Sequence, residues 1–426
     1  MELTIMVELE QISYAKTVYG QEEIDAVVKC LSESTQMGNY SRQFEKKIAK
    51  LFNKKHCLFV NSGSSALFVG VEAFGFPAGS EVITPALTFS TSIGCLVKNN
   101  LIPVFVDVEP LTYCIDVSQI EAQITEKTVA ILAPNLMGNL CDWPNIRQIA
   151  DRHKLIVIED SADTLGATID GQSSGFYSDM SITSFYGSHI INCAGNGGAL
   201  AINDENVLKK AKLLRSWGRS SSLFDERSEA IENRFDVNLD GIDYDAKFVF
   251  EMVGYNLEGN ELGAAFGLAQ LEKLQKNIDT RQSNFKRQCE FFDQYSEYFS
   301  NPQETHGCDT AWLAFPILIK KDAPFTRKEF QIFLEQKNIQ TRVVFTGNIL
   351  RQPMCKNITK KVLDEGYPNA DDVMARGVLL PLHHGLTESM FGRFQATVTE
   401  FIKQFTPSVE EKRSIAPVKD MPSSPA

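Results

Sequence analysis

Small polar, acidic and aromatic residues follow several β-rich runs of this 426-residue chain, at the points where those runs end. A Ser-Gly turn at 61–67 offers free backbone N–H groups and hydroxyls that suit a phosphate. Phe89 offers an aromatic ring, while Asp160 and Asp163 offer carboxylates after a later run. His189 offers an imidazole, which can move protons near neutral pH. These residue types together predict a site that binds an anion and transfers protons.

Each of these motifs also has a purely structural explanation. Ser-Gly turns are common, and an aspartate at the end of a strand is often a helix cap. A single short motif is weak evidence for a site when it stands alone. Their joint placement favours function, because ligands of an open parallel sheet lie beyond the carboxyl ends of its strands.

Seven short β-rich runs would position these residues, and several are continuous apolar stretches typical of strands buried on both faces. The runs are 56–62, 81–87, 102–108, 129–136, 155–162, 179–186 and 197–204. Helical stretches separate the first five, at 63–75, 88–99, 117–126 and 144–152. This alternation predicts an α/β fold with a mostly parallel seven-stranded sheet covered by helices on both sides. The short link between the last two runs predicts that one of them is antiparallel.

The pattern changes after residue 204 and indicates a smaller α+β domain near the end of the chain. Further helices are predicted at 205–217, 260–300, 326–336 and 387–404, and further strands at 311–319, 339–345 and 377–381. We therefore expect four parts. They are an N-terminal segment (1–24), a large α/β domain (25–275), a small C-terminal α+β domain (276–405) and a disordered tail (406–426) with four prolines.

The composition disfavours several classes of function. A net charge of −12 disfavours binding to nucleic acid or to anionic membranes. No apolar run reaches the roughly 18 residues of a membrane helix, and the N-terminus has acids where a secretory signal has basic residues. The nine cysteines are scattered, so no Cys-x-x-Cys pair indicates a metal or redox site. We expect a cytoplasmic protein without a metal site, and neither nucleic acid nor membrane as a partner.

Six segments together carry a resemblance to a known family. They are GNYSRQFEKKIAKLF (38–52), VNSGSSAL (60–67), IEDSADTLGA (158–167), SFYGSH (184–189), GYNLEGNELGAAFGLAQLEKL (254–274) and TRVVFTGNILRQP (341–353). Over about residues 14–405 the chain resembles the DegT/DnrJ/EryC1/StrS sugar aminotransferases, which are fold-type I pyridoxal-phosphate enzymes. It looks most similar to their nucleotide-sugar 3-dehydratase branch, typified by CDP-4-keto-6-deoxyglucose 3-dehydratase.

The resemblance implies how the chain would hold the cofactor. Gly63, Ser64 and Ser184 would bind the cofactor phosphate, and Phe89 would stack on the pyridine ring. Asp160 would pair with the pyridine nitrogen. A carboxylate there keeps the nitrogen protonated, so that the ring accepts electrons.

Further residues are assigned on the same resemblance. Asp163 would lie near the ring hydroxyl of the cofactor. Asn256 would reach the cofactor phosphate of a neighbouring subunit, which implies a homodimer with shared sites. Five residues of the small domain would face the substrate, although ordinary surface or core positions explain them equally well. They are Arg342, Asn348, Arg351, His383 and His384.

Position 189 departs from the family's aminotransferases, which have there the lysine that forms the Schiff base. His189 stands in its place, as in the dehydratase branch, and neither Lys nor Arg occurs in 56–97 or 155–208. An imidazole cannot form an imine with the cofactor, but it can act as a base. The resemblance therefore implies noncovalently bound pyridoxal or pyridoxamine phosphate. An inactive family member, or a structural histidine, is the alternative.

A second departure concerns iron. The best-known enzyme of this branch binds a [2Fe–2S] cluster through four cysteines, and the matching positions here are Ala162, Ser220, Ser222 and a stretch without cysteine at 223–235. Hydroxyls are poor iron ligands compared with thiolates, so we expect no cluster. Glu258 and Asn196 also replace a usual basic and a usual acidic residue. These last two changes leave the charge recognition of the substrate open.

The resemblance thus implies a dehydratase that removes the C3 hydroxyl of a nucleotide-linked 4-keto-6-deoxyhexose in deoxysugar biosynthesis. Pyridoxamine phosphate would be the working cofactor, His189 the base, and L-glutamate the amino donor that restores the amine. Two alternatives stay open at this stage. One is an aminotransferase-like enzyme with another base, and the other is a noncatalytic binding or regulatory member of the family.

Overall fold

A computed structural model describes residues 10–224 and 231–405, and these ranges contain thirteen α-helices and fifteen strands. The helices are α1 (Gln21–Glu33), α2 (Asn39–Leu51), α3 (Gly63–Phe74), α4 (Ser90–Lys98), α5 (Val117–Ile120), α6 (Trp143–His153), α7 (Glu205–Arg215), α8 (Ile231–Arg234), α9 (Glu261–Leu271), α10 (Leu274–Asp293), α11 (Arg327–Gln336), α12 (Pro368–Arg376) and α13 (Glu388–Lys403). The strands are β1 (His56–Val60), β2 (Glu81–Pro85), β3 (Ile102–Val106), β4 (Thr128–Pro134), β5 (Ile156–Ser161), β6 (Thr168–Ile169), β7 (Gln172–Ser173), β8 (Met180–Ser184), β9 (Gly198–Ile202), β10 (Val237–Leu239), β11 (Ile242–Tyr244), β12 (Phe299–Ser300), β13 (Cys308–Asp309), β14 (Phe315–Ile319) and β15 (Gly377–Leu380).

Seven strands form the main sheet in the order β1-β9-β8-β5-β4-β2-β3. The neighbours from β8 to β3 pair in parallel, whereas β9 runs antiparallel to both β1 and β8. All seven predicted strands are therefore confirmed, and the antiparallel one is the last of them along the chain. The carboxyl ends of the six codirectional strands, which include β1, meet at one edge of this sheet.

Helices cover both faces of the sheet, as the continuous apolar runs predict. Adjacent residues of β4 show why, since Ala130 packs with α3, α4 and α7 while Ile131 packs with α5 and α6. A further cluster on the second face joins α2 and α9 to Phe59 of β1. The apolar residues of these strands thus contact a core on one side of the sheet or the other.

The small three-stranded sheet β12-β14-β15 lies in the C-terminal part, where it packs with α10, α11 and α13. The predicted strands at 311–319 and 377–381 are confirmed in slightly shorter form as β14 and β15. The predicted domain boundaries stay predictions, and the predicted tail at 406–426 lies outside the described residues. No helix within the two described ranges has the length and apolar character that crossing a membrane requires.

Two predictions on this part of the chain are wrong in detail. The single helix predicted at 260–300 is divided into α9, which packs on α1 and α2, and α10, which enters the small domain. The strand predicted at 339–345 is not formed, because only single residue pairs such as Arg342 with Leu379 occur there. Phe345 closes this segment with a φ of 45°, which no strand accommodates.

Candidate active site

A cavity of about 430 Å³ opens at the carboxyl edge of the main sheet, between that edge and the small domain. The ends of β1, β5 and β8 contribute most of its polar lining. Seven of the site residues predicted from the sequence line this cavity together. They are Gly63, Ser64, Phe89, Asp160, Asp163, Ser184 and His189. The specific roles that the resemblance implies for them stay predictions.

The amino terminus of α3 forms one end of the cavity. Ser62 caps this helix by accepting the Ser65 N–H at 3.1 Å, which leaves the N–H groups of Gly63 and Ser64 without a hydrogen bond to any described residue. A Cβ at Gly63 would lie 2.7 Å from the Cβ of Ser184, so glycine is required for the helix to approach β8 this closely. Two free N–H groups at a helix amino terminus, beside a serine hydroxyl, suit an anion.

Asp160 lies near the carboxyl end of β5, lines the cavity and is almost fully buried. Its carboxylate accepts hydrogen bonds from Ser92 Oγ at 2.8 Å and from the Ala162 N–H at 3.2 Å. Among the described residues no Lys, Arg or His forms an ion pair with it, and burial raises the pKa of Asp160 to about 6. This carboxylate therefore suits a ligand that brings a cationic N–H group.

Phe89 stands beside Asp160 at the start of α4 and keeps 47% of its surface exposed. Its ring meets the ring of Phe345 edge to face, with the centroids 6.2 Å apart. The free area of the Phe89 ring is available for stacking with a planar ligand.

His189 lies in the loop between β8 and β9, with its ring buried against the cavity wall. The Nδ1 atom lies 3.0 Å from the carbonyl oxygen of Ser184, which can only accept a hydrogen bond. Nδ1 therefore carries the proton, and Nε2 of the neutral ring has a free electron pair. Burial lowers the pKa of His189 to about 4, so the ring is neutral at pH 7.

Asp163 is the charged group nearest to that electron pair, with Oδ1 3.8 Å from His189 Nε2. Its other carboxylate oxygen accepts the Met137 N–H at 3.1 Å, and burial raises the pKa of Asp163 to about 7. The two side chains thus form a buried pair with room for one mobile proton near neutral pH. No residue lining the cavity, in the part of the chain that is described, is Lys or Arg.

The structure does not bring the other predicted site residues into this cavity. Asn348 caps a short turn and donates to Asp371 at 2.8 Å, while Arg351 makes a bidentate ion pair with the same carboxylate at 2.5 Å. Asn256 is exposed and pairs with Ser216. Its position is compatible with a contact to another subunit, and that role stays a prediction.

Arg342 and the two histidines lie behind the cavity wall rather than in it. Arg342 places its guanidinium 5.1 Å from the ring centroid of Tyr14, and Tyr14 does line the cavity. His383 Nε2 lies 3.1 Å from the Ser13 carbonyl, and His384 Nδ1 accepts a hydrogen bond from Arg281 at 3.1 Å. Direct substrate contacts by these residues stay predictions, and in this structure they support neighbouring segments.

The described positions matched to cluster cysteines carry no thiol group. Ala162 lies in the cavity wall, whereas Ser220 donates to the carbonyl of Ala246 at 2.8 Å. Ser222 is half-buried with its hydroxyl oxygen shielded from solvent, and part of the 223–235 stretch lies outside the described residues. Within the described ranges no three His, Cys, Asp or Glu side chains are grouped as metal ligands would be.

Four further residues shape the site without having been predicted. Ser92 holds Asp160, Asn135 donates to the buried Glu159 at 3.1 Å, and Tyr14 enters from the N-terminal segment. Glu159 precedes Asp160 in the sequence, but side chains alternate along β5, so Glu159 points to the opposite face of the sheet. Only the fold could reveal that Tyr14, far away along the chain, reaches the same cavity.

Comparison with known proteins identifies the family. A family model described as DegT/DnrJ/EryC1/StrS aminotransferase matches residues 18–399. The lipopolysaccharide biosynthesis protein RfbH of Salmonella typhimurium is 35% identical over 381 residues, covering 87% of this chain and 87% of the relative. A dTDP-4-dehydro-2,6-dideoxy-D-glucose 3-dehydratase of Saccharopolyspora spinosa is 34% identical over 375 residues, covering 86% of this chain and 80% of that enzyme.

A solved structure agrees with the sequence relatives. A GDP-4-keto-6-deoxymannose-3-dehydratase with a trapped PLP-glutamate geminal diamine superposes with a TM-score of 0.79 at 27% identity, over 90% of this chain and 99% of that one. The seven-stranded sheet, the small C-terminal sheet and the match over most of the chain lead to one conclusion. The chain belongs to the DegT/DnrJ/EryC1/StrS aminotransferase family and has the α/β fold of a fold-type I pyridoxal-phosphate enzyme.

Proposed function

We propose that this chain is a nucleotide-sugar 3-dehydratase of deoxysugar biosynthesis, which removes the C3 hydroxyl of a nucleotide-linked 4-keto-6-deoxyhexose. Pyridoxal or pyridoxamine phosphate binds without a covalent link to the protein. The observation that carries this proposal is a neutral His189 in a cavity whose described lining contains no lysine.

The cavity residues fit this cofactor at three points. The free N–H groups of Gly63 and Ser64, with the hydroxyl of Ser184 beside them, suit the phosphate. Phe89 offers its exposed face to the pyridine ring of the cofactor. The buried carboxylate of Asp160 has no cationic partner among the described residues, and the protonated pyridine nitrogen would supply one. When bound, the cofactor supplies an amine that condenses with the sugar ketone and a ring that accepts electrons.

His189 then acts as the base of the reaction. The Ser184 carbonyl fixes the ring proton of His189 on Nδ1. Nε2 is therefore the atom that accepts a second proton, and removal of that proton from its carbon starts the elimination. A lysine at this position would return a proton to the sugar and complete a transamination. Its replacement by an imidazole, which forms no imine, favours loss of the C3 hydroxyl instead.

Relatives support the choice of substrate class and amino donor. Two of the compared proteins are nucleotide-sugar 3-dehydratases, and one of these was trapped with glutamate on its cofactor. Ala162, Ser220 and Ser222 supply no thiolate for an iron–sulfur cluster, so we infer that no reductase takes part. L-glutamate restores the amine of the cofactor after each turnover.

The exposed position of Asn256 supports a homodimer in which this residue contacts the phosphate of the neighbouring subunit. Replacement of Asn256 by Ala should then weaken pyridoxal phosphate binding, although the residue lies outside the cavity of its own chain. Analytical ultracentrifugation of the wild-type protein should give twice the mass of the 47.6 kDa chain. A monomer that binds the cofactor at full affinity would contradict shared sites.

The proposal is tested by turnover and by covalent trapping. Purified protein should dehydrate at least one member of a panel of nucleotide-linked 4-keto-6-deoxyhexoses, consuming L-glutamate and needing no reductase. Borohydride treatment of the pyridoxal-phosphate complex should leave the chain free of cofactor by mass spectrometry. Any of three results would reject the proposal. They are a stoichiometric lysine adduct, iron near one cluster per chain after anaerobic purification, and turnover that does not depend on glutamate but requires a reductase.

A further inference from the structure

Residues 12–18 connect the small domain with the loop that holds His189, and we call this segment the strap. On the small-domain side Ile12 pairs with Ile339, and the Ser13 carbonyl lies 3.1 Å from His383 Nε2. On the other side Thr17 donates to the carbonyl of Gly187, two residues before His189. The strap is therefore fixed both to the small domain and to the loop that holds the imidazole.

Tyr14 is the strap residue that lines the cavity. Its ring packs on the small-domain core and lies under the guanidinium of Arg342, with 5.1 Å between the guanidinium carbon and the ring centroid. Its backbone N–H is 3.4 Å from Gln340 Oε1. The ring is thus held from two sides, while the phenol hydroxyl makes no hydrogen bond to any described residue.

The cavity wall separates into two sides with different chemistry. The end of the sheet supplies the residues that fit the cofactor, whereas Tyr14, Leu313 and Phe345 come from the strap and the small domain. A substrate held in this cavity beside the cofactor would contact this second side. Tyr14 offers the hydroxyl group there, because Leu313 and Phe345 are apolar.

We propose that Tyr14 is a further catalytic residue of this enzyme, a general acid that protonates the C3 oxygen of the sugar as the carbon–oxygen bond breaks. This inference rests on the proposed dehydration. The electron pair of the broken C3–O bond stays on oxygen, which receives the phenol proton and leaves as water. His189 has gained one proton and Tyr14 has lost one, so a proton returning to the phenolate restores both side chains.

Burial and the charges around the phenol keep it in the protonated form that a proton donor needs. Burial raises the pKa of Tyr14, and the nearby carboxyl of Asp163 raises it further, while Arg342 acts in the opposite direction. Tyr186 is the other ionisable group that influences the phenol. The hydroxyl therefore keeps its proton at neutral pH and is a donor when the substrate binds. Arg342 and His383 act through Tyr14 and the strap, and are positioning residues.

The test compares Tyr14→Phe with the wild-type protein on two substrates. One is the 4-keto-6-deoxyhexose nucleotide that the wild-type protein dehydrates, and the other is its 3-deoxy-3-fluoro analogue. Fluoride leaves without needing a proton, so the variant should lose about 10²-fold in kcat with the hydroxyl substrate, in the usual range for general acids, but roughly threefold or less with the fluoro substrate. Tyr19→Phe is the matched control, since Tyr19 is 55% exposed and does not line the cavity.

Two readouts separate this inference from loss of folding or of cofactor binding. The pyridoxal phosphate affinity, by absorbance titration, and the single-turnover amination by L-glutamate should be unchanged in Tyr14→Phe, because neither breaks a C3–O bond. The role of Tyr14 would be overturned if kcat fell equally on both substrates or on neither. It would also be overturned if the amination rate fell in parallel with kcat. Absence of dehydration by the wild-type protein would instead overturn the proposed function.

Discussion

Replacement of His189 by Asn separates base catalysis from cofactor binding. General bases contribute about 10²–10⁴-fold, so the variant should raise the barrier to dehydration by about 3–5 kcal/mol. Apart from catalysis, the substitution removes the 3.0 Å hydrogen bond from the ring to the Ser184 carbonyl. Such a bond contributes about 0.5–1.5 kcal/mol, so cofactor affinity should change by about tenfold at most. The two effects differ enough to be told apart.

The assay measures single-turnover dehydration by the cofactor-loaded protein and, separately, the Kd of pyridoxal phosphate by absorbance titration. His153→Asn is the matched control, because His153 lies on the surface of α6 beside Glu121 and away from the cavity. The control should keep both values. A His189→Asn variant that keeps its rate, or that loses rate and affinity by equal factors, would refute the assignment of His189 as the base.

The pH profile provides a second measure of the same reasoning. Burial lowers the pKa of His189 to about 4, so the unprotonated base is present above that pH and is lost as the pH falls through it. The dehydration rate should therefore persist at pH 6, where a solvent-exposed histidine would already be mostly protonated. Because burial raises the pKa of Asp163 to about 7, the same profile is recorded for Asp163→Asn. An acid limb centred near pH 6.5 that remains in this variant would show that the imidazole is not held neutral by its surroundings.

Three further predictions concern carboxylates. Asp160→Asn should raise the Kd of pyridoxal phosphate about 10- to 100-fold, because a hydrogen bond to a charged group contributes about 1.5–3 kcal/mol, and an unchanged Kd would contradict its pairing with the pyridine nitrogen. Burial raises the folded-state pKa of Asp163 to about 7, so this group makes the cofactor-free protein less stable as the pH rises from 4 to 7. Asp163→Asn should reduce the decline in urea unfolding, with the part due to Asp160 remaining, and identical pH slopes would argue against it. Buried Glu261 accepts the N–H groups of Gly38 and Tyr40 at 2.7 and 2.6 Å, so Glu261→Gln should lower the free energy of unfolding by about 1.5–3 kcal/mol, whereas the exposed Glu272→Gln should cost less than about 1 kcal/mol.

The sequence predicted the main sheet because its strands carry a strong local signal. Buried parallel strands are continuous apolar runs, and the turn residues after them reach one edge by topology alone. That is why Gly63, Asp160 and His189 could be placed in one site before the structure was known. The break between α9 and α10 could not be predicted in the same way, because the residues on both sides of it favour helix. The break comes from packing of the two helices against different partners.

The small-domain side of the site was much harder to predict. Arg342 and His383 carry the residue types of substrate ligands, but their contacts are with Tyr14 and Ser13 of the strap. More than 320 residues separate these partners along the chain, so no local pattern links them. Pairings of this kind depend on tertiary packing, and a single sequence has no periodicity that reports them.

The proposed noncovalent binding, in a cavity whose described lining contains no lysine, would also change how the protein keeps its cofactor. A ligand that is not tethered exchanges with the surrounding solution, so its occupancy follows free concentration divided by Kd, as for any substrate. Reversible binding stabilises the folded chain by RT ln(1 + [L]/Kd), which is about 2.7 kcal/mol at a hundredfold excess over Kd. Dialysis should strip the protein and lower its melting temperature together. The supply of the cofactor in the cell would then set both the activity and the lifetime of the enzyme.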